Sequence, residues 1–205
     1  MAWLRRQGGL ECVVTSLPEM AEGPWKRVED YRAFFTEAAE LCFSAVADTG
    51  YVVFLQTDRK RNGWLDKSYW LSAAGEAAGM RLLWHKVALR VAVGKTDLYR
   101  PGWSHMLCFS RAGRIGVPFA DVIERGEVTY ADAFGQTAVR AVLEWLGRQG
   151  VRKVVDPFVG SGTVVAMANA LGMDAVGVDN DKKQCEQARA LSISLTSLSE
   201  SKAKD

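Results

Sequence analysis

Residues 154–163 read Val-Val-Asp-Pro-Phe-Val-Gly-Ser-Gly-Thr, and this decamer restricts the fold more than any other part of the chain. An apolar pair leads into Asp156, Gly160 and Gly162 alternate with other residues, and Thr163 opens an apolar helical pattern. Glycine lacks a Cβ, so the backbone can turn sharply and approach a ligand closely. A strand, a glycine loop and a helix in this order form the junction at which open α/β sheets bind nucleotides. An acid about twenty positions further on is placed to hold ribose hydroxyls. Asp179 fills that position, directly after the apolar run Ala175–Val178, whereas Asp181 is better placed to cap the next helix.

The rest of the pattern fits an α/β domain. Leu10–Leu17 is a short apolar run stopped by Pro18, a buried-strand candidate. From Glu29 to Ala47, apolar residues recur at helical spacing, and Gly50 is expected to stop that helix before a strand at 51–55. A second helix is expected over 65–78, followed by two strands, 81–93 and 104–110, joined by a turn at 94–102. So short a connection implies an antiparallel hairpin at one side of the sheet. Residues 112–130 read as irregular. Helices over 131–148, 161–171 and 181–192 then alternate with strands 152–156 and 174–179, which implies a mostly parallel sheet covered on both faces. The 205 residues suit one domain over 1–192. The Ser- and Lys-rich segment 193–205 reads as a flexible tail.

Composition narrows the partners. The net charge is only +2, so no global field draws the chain to nucleic acid or membrane. Cys12, Cys42, Cys108 and Cys185 show no CxxC spacing, and with two histidines, His85 and His105, no metal site is expected. Cysteines so dispersed read as reduced thiols of a cytoplasmic or nuclear protein. No apolar run has the length of a membrane span or of a signal peptide.

The segment Asp156-Pro157-Phe158-Val159-Gly160-Ser161-Gly162-Thr163 resembles the Asp-Pro-Phe-X-Gly-Ser-Gly-Thr signature of the DNA and RNA amino-methyltransferases. Gly177-Val178-Asp179-Asn180-Asp181 is similar to their second motif, Gly-Ile-Glu-Ile-Asp. The resemblance implies a Rossmann-like class I methyltransferase sheet and S-adenosyl-L-methionine as cofactor. The implied cofactor residues are Asp156, Pro157, Phe158, Gly160, Ser161, Gly162, Thr163 and Asp179, with Phe134 and Gly135 before the preceding strand.

In one branch of that family the motif order is circularly permuted, with the catalytic strand ahead of the cofactor loop. The permutation implies a Ser/Asp/Asn-Pro-Pro-aromatic tetrapeptide near the N-terminus. Here Thr15-Ser16-Leu17-Pro18-Glu19 resembles it, with Leu17 in place of the first proline and Glu19 in place of the aromatic. In the family, the first residue and the carbonyl after it accept hydrogen bonds from the target amine, which is catalysis by positioning, and the aromatic stacks the flipped base. The implied catalytic residues are Ser16, Pro18 and Glu19. Glu19 alternatively points to a polar substrate, either a protein or a small molecule, and the altered motif leaves a degenerate cofactor-binding subunit as a third reading.

The permuted order also implies a family strand ahead of Leu10, for which residues 1–9 leave little room. That strand is expected to be missing, or the start truncated. Strand 174–179 would then be an edge for a second copy or a partner chain to cover. Arg59-Lys60-Arg61 with Trp64 suggests a loop that grips RNA or DNA phosphates, and Trp25 is a substitute stacking platform. His85 and His105 read as packing or surface residues. Residues 112–130 occupy the slot of a target-recognition domain but are too few to read a DNA sequence alone.

Overall fold

The structure, a computed structural model, describes residues 1–60, 63–130 and 133–195. In chain order the elements are β1 (Leu10–Thr15), α1 (Val28–Ala45), β2 (Val46–Gln56), α2 (Lys67–Ala77), β3 (Arg81–Leu89), β4 (Trp103–Ser110), β5 (Val122–Glu124), α3 (Gln136–Arg148), β6 (Lys153–Asp156), α4 (Thr163–Ala170), β7 (Asp174–Gly177) and α5 (Lys182–Ala190). The strands form a seven-stranded sheet in the order β5-β3-β4-β2-β1-β6-β7. β4 runs antiparallel to β2 and β3, and the remaining pairs are parallel. The α/β sheet, mostly parallel with a hairpin at one side, is the one expected from the sequence.

Alternation along the strands divides the core in two. Val13, Val52, Phe54, Leu107 and Phe109 face α1 and α2, where Phe43 meets Phe54 and Phe109 edge-on at centroid distances of 5.5 and 5.2 Å. Cys12, Val14, Val53, Leu55 and Cys108 face α3 and α4. There the fully buried Trp145 ring donates its Nε1–H to the Ile115 carbonyl at 3.1 Å, which satisfies the one polar atom it buries.

Four local expectations differ, the first being that the strand expected over 81–93 ends at Leu89, where its pairing with Trp103 stops. Gly50 does not stop α1, because β2 starts immediately after Ala45 and Gly50 lies inside the strand. A Cβ there would stand 2.7 Å from the Leu10 carbonyl, so glycine allows β1 and β2 to approach. The pairing shifts at this point, from Leu10 opposite Val46 to Cys12 opposite Tyr51. The stretch 112–130 is not wholly irregular, since it contributes β5, parallel to β3. Buried Lys86 ties it down through the Phe119 carbonyl at 2.7 Å and Asp121 at 2.5 Å. α3 begins at Gln136, capped by Gly135, rather than at 131. Strand β7 is an edge, as expected, and pairs with β6 alone among the described residues. No helix among those residues is long and apolar enough to cross a membrane.

Candidate functional site

The glycine loop leaves the carboxyl end of β6. Val178 N–H donates to the Asp156 carbonyl and Val159 N–H to the Val178 carbonyl, both at 2.9 Å, which stitches the loop to the end of β7. Gly160 (φ 50°) and Gly162 (φ 94°) have left-handed backbone, where other residues are strained. Gly162 also abuts α5, since a Cβ there would stand 2.7 Å from Ala188 Cα. Asp179 accepts the Gly160 N–H at 3.0 Å and the Asp181 N–H at 2.9 Å, one on each oxygen, while Asp181 caps α5 through the Lys183 N–H. The Ser161 hydroxyl lies 2.8 Å from Gln184 Oε1 and 3.1 Å from Gln187 Oε1 of α5. Thr163 opens α4, and its hydroxyl lies 2.5 Å from that of Thr129.

Asp156 is the most perturbed carboxyl at this sheet end. Burial pushes it up to about 7, against the hydrogen bonds donated by the Thr15 hydroxyl at 2.6 Å and the Phe158 N–H at 3.2 Å. The Thr15 bond joins residues 141 apart in sequence. It places the turn after β1 directly beside the glycine loop.

That turn is held from three sides. The Gln56 side chain, at the end of β2, accepts the Leu17 N–H at 3.0 Å and donates to the Leu17 carbonyl at 3.1 Å, pairing like a piece of backbone. The Tyr31 hydroxyl donates to the Pro18 carbonyl at 3.0 Å. Glu19 receives Lys67 Nζ at 2.5 Å and Arg59 Nε at 3.1 Å, so its two oxygens face the protein's own cations. The Lys67 side chain is fully buried, and burial lowers its pKa despite Glu19. Ser16 stays exposed at the crest, with its hydroxyl 3.5 Å from Gln56 Oε1.

The other candidates are spread more widely. Trp25 packs on Phe34 and Tyr31 at centroid distances of 4.3 and 5.4 Å, and Phe34 in turn meets Phe158 at 6.5 Å. Phe134 packs against the α3/α4 core, and Gly135 is a glycine because the Arg125 carbonyl would lie 2.1 Å from its Cβ. Arg59 is turned inward onto Glu19, and Lys60 donates to the Asp97 carbonyl at 2.8 Å. Arg61 lies outside the described residues. Trp64 is half exposed and donates its indole N–H to Asp58 at 3.0 Å. The histidines are neither isolated nor simple packing: His85 Nε2 lies 2.8 Å from His105 Nδ1, and His105 Nε2 lies 3.1 Å from Asp58 Oδ2. Burial works to raise the Asp58 carboxyl, but hydrogen bonds from His105, Trp64 and Lys67 outweigh it and hold it below its ordinary value.

Thr15, Gln56, Asp58 and His105 were not singled out as site residues in the sequence. One signal was present for the first three: Thr15, Gln56 and Asp58 are polar residues at or just past the ends of apolar strands, where a side chain reaches the ligand-binding edge of a parallel sheet. No metal-binding cluster occurs among the described residues.

This arrangement defines the chain as having the fold of the DNA methylases, with a glycine loop and the turn after β1 side by side at one sheet end. A DNA methylase family model (N6/N4 type) matches residues 151–190, the segment of β6, the loop and α5. The fold is shared with a candidate DNA modification methylase of Thermus thermophilus, solved in complex with S-adenosyl-L-methionine. That chain is 17% identical, with a TM-score of 0.72 over 92% of this chain and 88% of the other. M1.HpyAVI, solved as a complex with the same cofactor, gives 12% identity and a TM-score of 0.68 over 92% and 91%. The cytosine-N4-specific PvuII DNA methyltransferase gives 12% identity and a TM-score of 0.71 over 96% and 86%. No curated protein matches. The resemblance read from the sequence thus holds at two levels, in the 151–190 segment and in the fold.

Proposed function

We propose that this chain is an S-adenosyl-L-methionine-dependent methyltransferase that methylates an exocyclic amine of DNA or RNA, in a permuted motif order. The observation that carries the reading is the Thr15–Asp156 bond, which fastens the Ser16 turn to the glycine loop. In the chain the turn comes first and the loop last, yet β1 and β6 are neighbours in the sheet.

The residues present fit this cofactor. Asp156 is a buried carboxyl without a cation among its bonded partners, and a positively charged ligand beside it would favour its ionised form and offset the cost of burial that raises its pKa. Asp179 keeps a lone pair on each oxygen for ribose hydroxyls after accepting its two N–H groups. Gly160 has only the Tyr130 hydroxyl within contact range of a Cβ, so the backbone there is open to a ligand. The cofactor, when bound, supplies an electrophilic methyl group. The chain's own contribution is orientation: the Ser16 hydroxyl and the Leu17 carbonyl, fixed in place by Gln56, accept hydrogen bonds from an amine and aim its lone pair.

Glu19 is engaged by Lys67 and Arg59. It acts in this reading as the clamp on the turn, which removes the motive for a protein or small-molecule substrate. A second reading, a subunit that works with a partner, is favoured by the edge at β7, on which we place a second copy of the chain. Incubation with labelled cofactor and total DNA, RNA and protein tests the function. Label is expected in nucleic acid. Label confined to protein or small molecules overturns the nucleic-acid reading, and no binding of S-adenosylhomocysteine in calorimetry overturns the enzyme itself.

A further inference from the structure

Two tryptophans stand in the open at the sheet end that carries Ser16 and the glycine loop. Trp64 is 49% exposed and Trp103 is 37% exposed. Their rings lie 6.2 Å apart between centroids, inclined by 35°. Burial of an indole is among the larger apolar gains a fold can make, so two neighbouring rings left in water call for a reason.

Neither ring is loose. The Trp64 indole is fixed by Asp58 Oδ2, and the same oxygen takes His105 Nε2, while Asp58 Oδ1 takes the Lys67 N–H. Asp58 is 2% exposed, so this is a buried acceptor committed to holding a surface ring in place. Trp103 begins β4 opposite Leu89 and meets the His105 ring edge-on at 6.5 Å. Asp58 thus holds Trp64 directly and Trp103 through His105.

The surroundings supply the matching charge. The loops at 57–66 and 90–102 are joined by the Lys60 N–H to the Tyr99 carbonyl at 2.9 Å and by Lys60 Nζ to the Asp97 carbonyl. Among the described residues of these loops, Arg59 is held by Glu19 and Arg90 pairs with Asp97, and Lys60, Lys95 and Arg100 give the loops a positive charge. Tyr99, 61% exposed, is a further aromatic residue of the 90–102 loop. Aromatic rings interleaved with cations are the chemistry that holds single-stranded nucleic acid, bases on the rings and phosphates on the cations.

We infer that Trp64 and Trp103 form a stacking platform for unpaired bases of a nucleic acid strand, next to the base that reacts. The platform lies three strand positions from β6, about 14 Å at the usual strand spacing, or a few nucleotides along a strand. It therefore takes flanking bases and not the target base. It rests on the nucleic-acid reading of the function and adds to it a preference for single-stranded or locally opened substrate.

The test is binding of a short fluorescent oligonucleotide, single-stranded and as duplex, at one fixed salt concentration, to the full chain and to Trp64→Leu, Trp103→Leu and the two corresponding Phe variants. The same preparations are assayed for S-adenosylhomocysteine binding and melting temperature. Each Leu variant is expected to lose about tenfold in single-strand affinity, and each Phe variant to retain most of it, because Phe keeps a stacking face. Cofactor affinity is expected to stay unchanged in all four. Leu variants that bind the single strand as tightly as the parent overturn the platform. A parent chain that binds the cofactor product but no oligonucleotide also overturns it, leaving methyl transfer to another substrate intact. Oligonucleotide binding that depends on the tryptophans, in a chain without affinity for the cofactor, supports the platform and overturns the methyltransferase reading instead.

Discussion

Replacing Asp156 with Asn is expected to make the protein more stable at neutral pH and worse at holding its cofactor. The carboxyl is buried and pushed up to about 7 from an ordinary 3.8, chiefly by loss of hydration. An unfolded chain releases this proton near pH 4, and the folded chain releases it near pH 7. Between those values the folded state holds one proton more than the unfolded state. Stability contributed by the neutral form is therefore complete below about pH 4 and declines by about 1.4 kcal/mol per pH unit until it levels off above about pH 7. The whole interval corresponds to about 4 kcal/mol at most, since any water reaching the carboxylate reduces it. Asn keeps the Oδ1 acceptor used by the Thr15 hydroxyl and the Phe158 N–H, so the packing and both bonds persist without a charge to bury. Urea unfolding of both proteins from about pH 4.5 to 8.5 gives two stability curves. Every other titrating group contributes nearly alike to both, so their difference isolates Asp156. It is expected to widen in favour of Asn up to about pH 7 and then stay constant. Parallel curves across that range refute the argument, since Asp156 would then ionise as easily folded as unfolded. The opposite sign is expected for function: loss of the negative charge weakens S-adenosylhomocysteine binding, whose amino group is cationic. Such a trade of stability for activity is common at binding sites.

Two further outcomes follow from the loop and from the edge of the sheet. Asp179→Ala should weaken S-adenosylhomocysteine binding by about 1–3 kcal/mol in calorimetry, because hydrogen bonds to a charged acceptor are lost; unchanged affinity shows that a different residue holds the ribose. Sedimentation should reveal a dimer, with β7 protected from hydrogen exchange at concentrations where it forms; a monomer up to the limit of solubility removes the second copy from the edge.

The layers of this fold were legible because strand and helix periods differ so clearly. The continuous run Tyr51–Leu55 and the helical spacing from Tyr31 to Cys42 each had one reading, and a short connection, expected at 94–102 and found at 90–102, implied the hairpin. Gly50 misled because a glycine after a helix commonly ends it, whereas here it serves a contact with Leu10, a residue forty positions earlier. Such a partner is invisible to a local pattern. The glycine loop and Asp179 were legible because their chemistry is packed into one short segment. The hold on Glu19 was not, since Lys67 and Arg59 reach it from another part of the chain. Gln56 is the subtlest case: a lone amide that closes an apolar strand, with nothing in its neighbours to announce that it grips Leu17.

The 141-residue span of the Thr15–Asp156 bond has a consequence for biosynthesis. As the chain emerges, β1 can pair with β2 early, but its other side stays open until β6 and α4 have left the ribosome. At common elongation rates of about 5–20 residues per second, that side waits roughly 5–20 s. During this interval the buried faces of Val13 and Val14 and the unpaired backbone of β1 are exposed to other chains. The nascent protein is therefore most prone to aggregate before residue 156 appears. Closure of the sheet's centre and completion of the cofactor loop are a single late event, so a chain able to bind its cofactor is also one whose sheet has finished assembling.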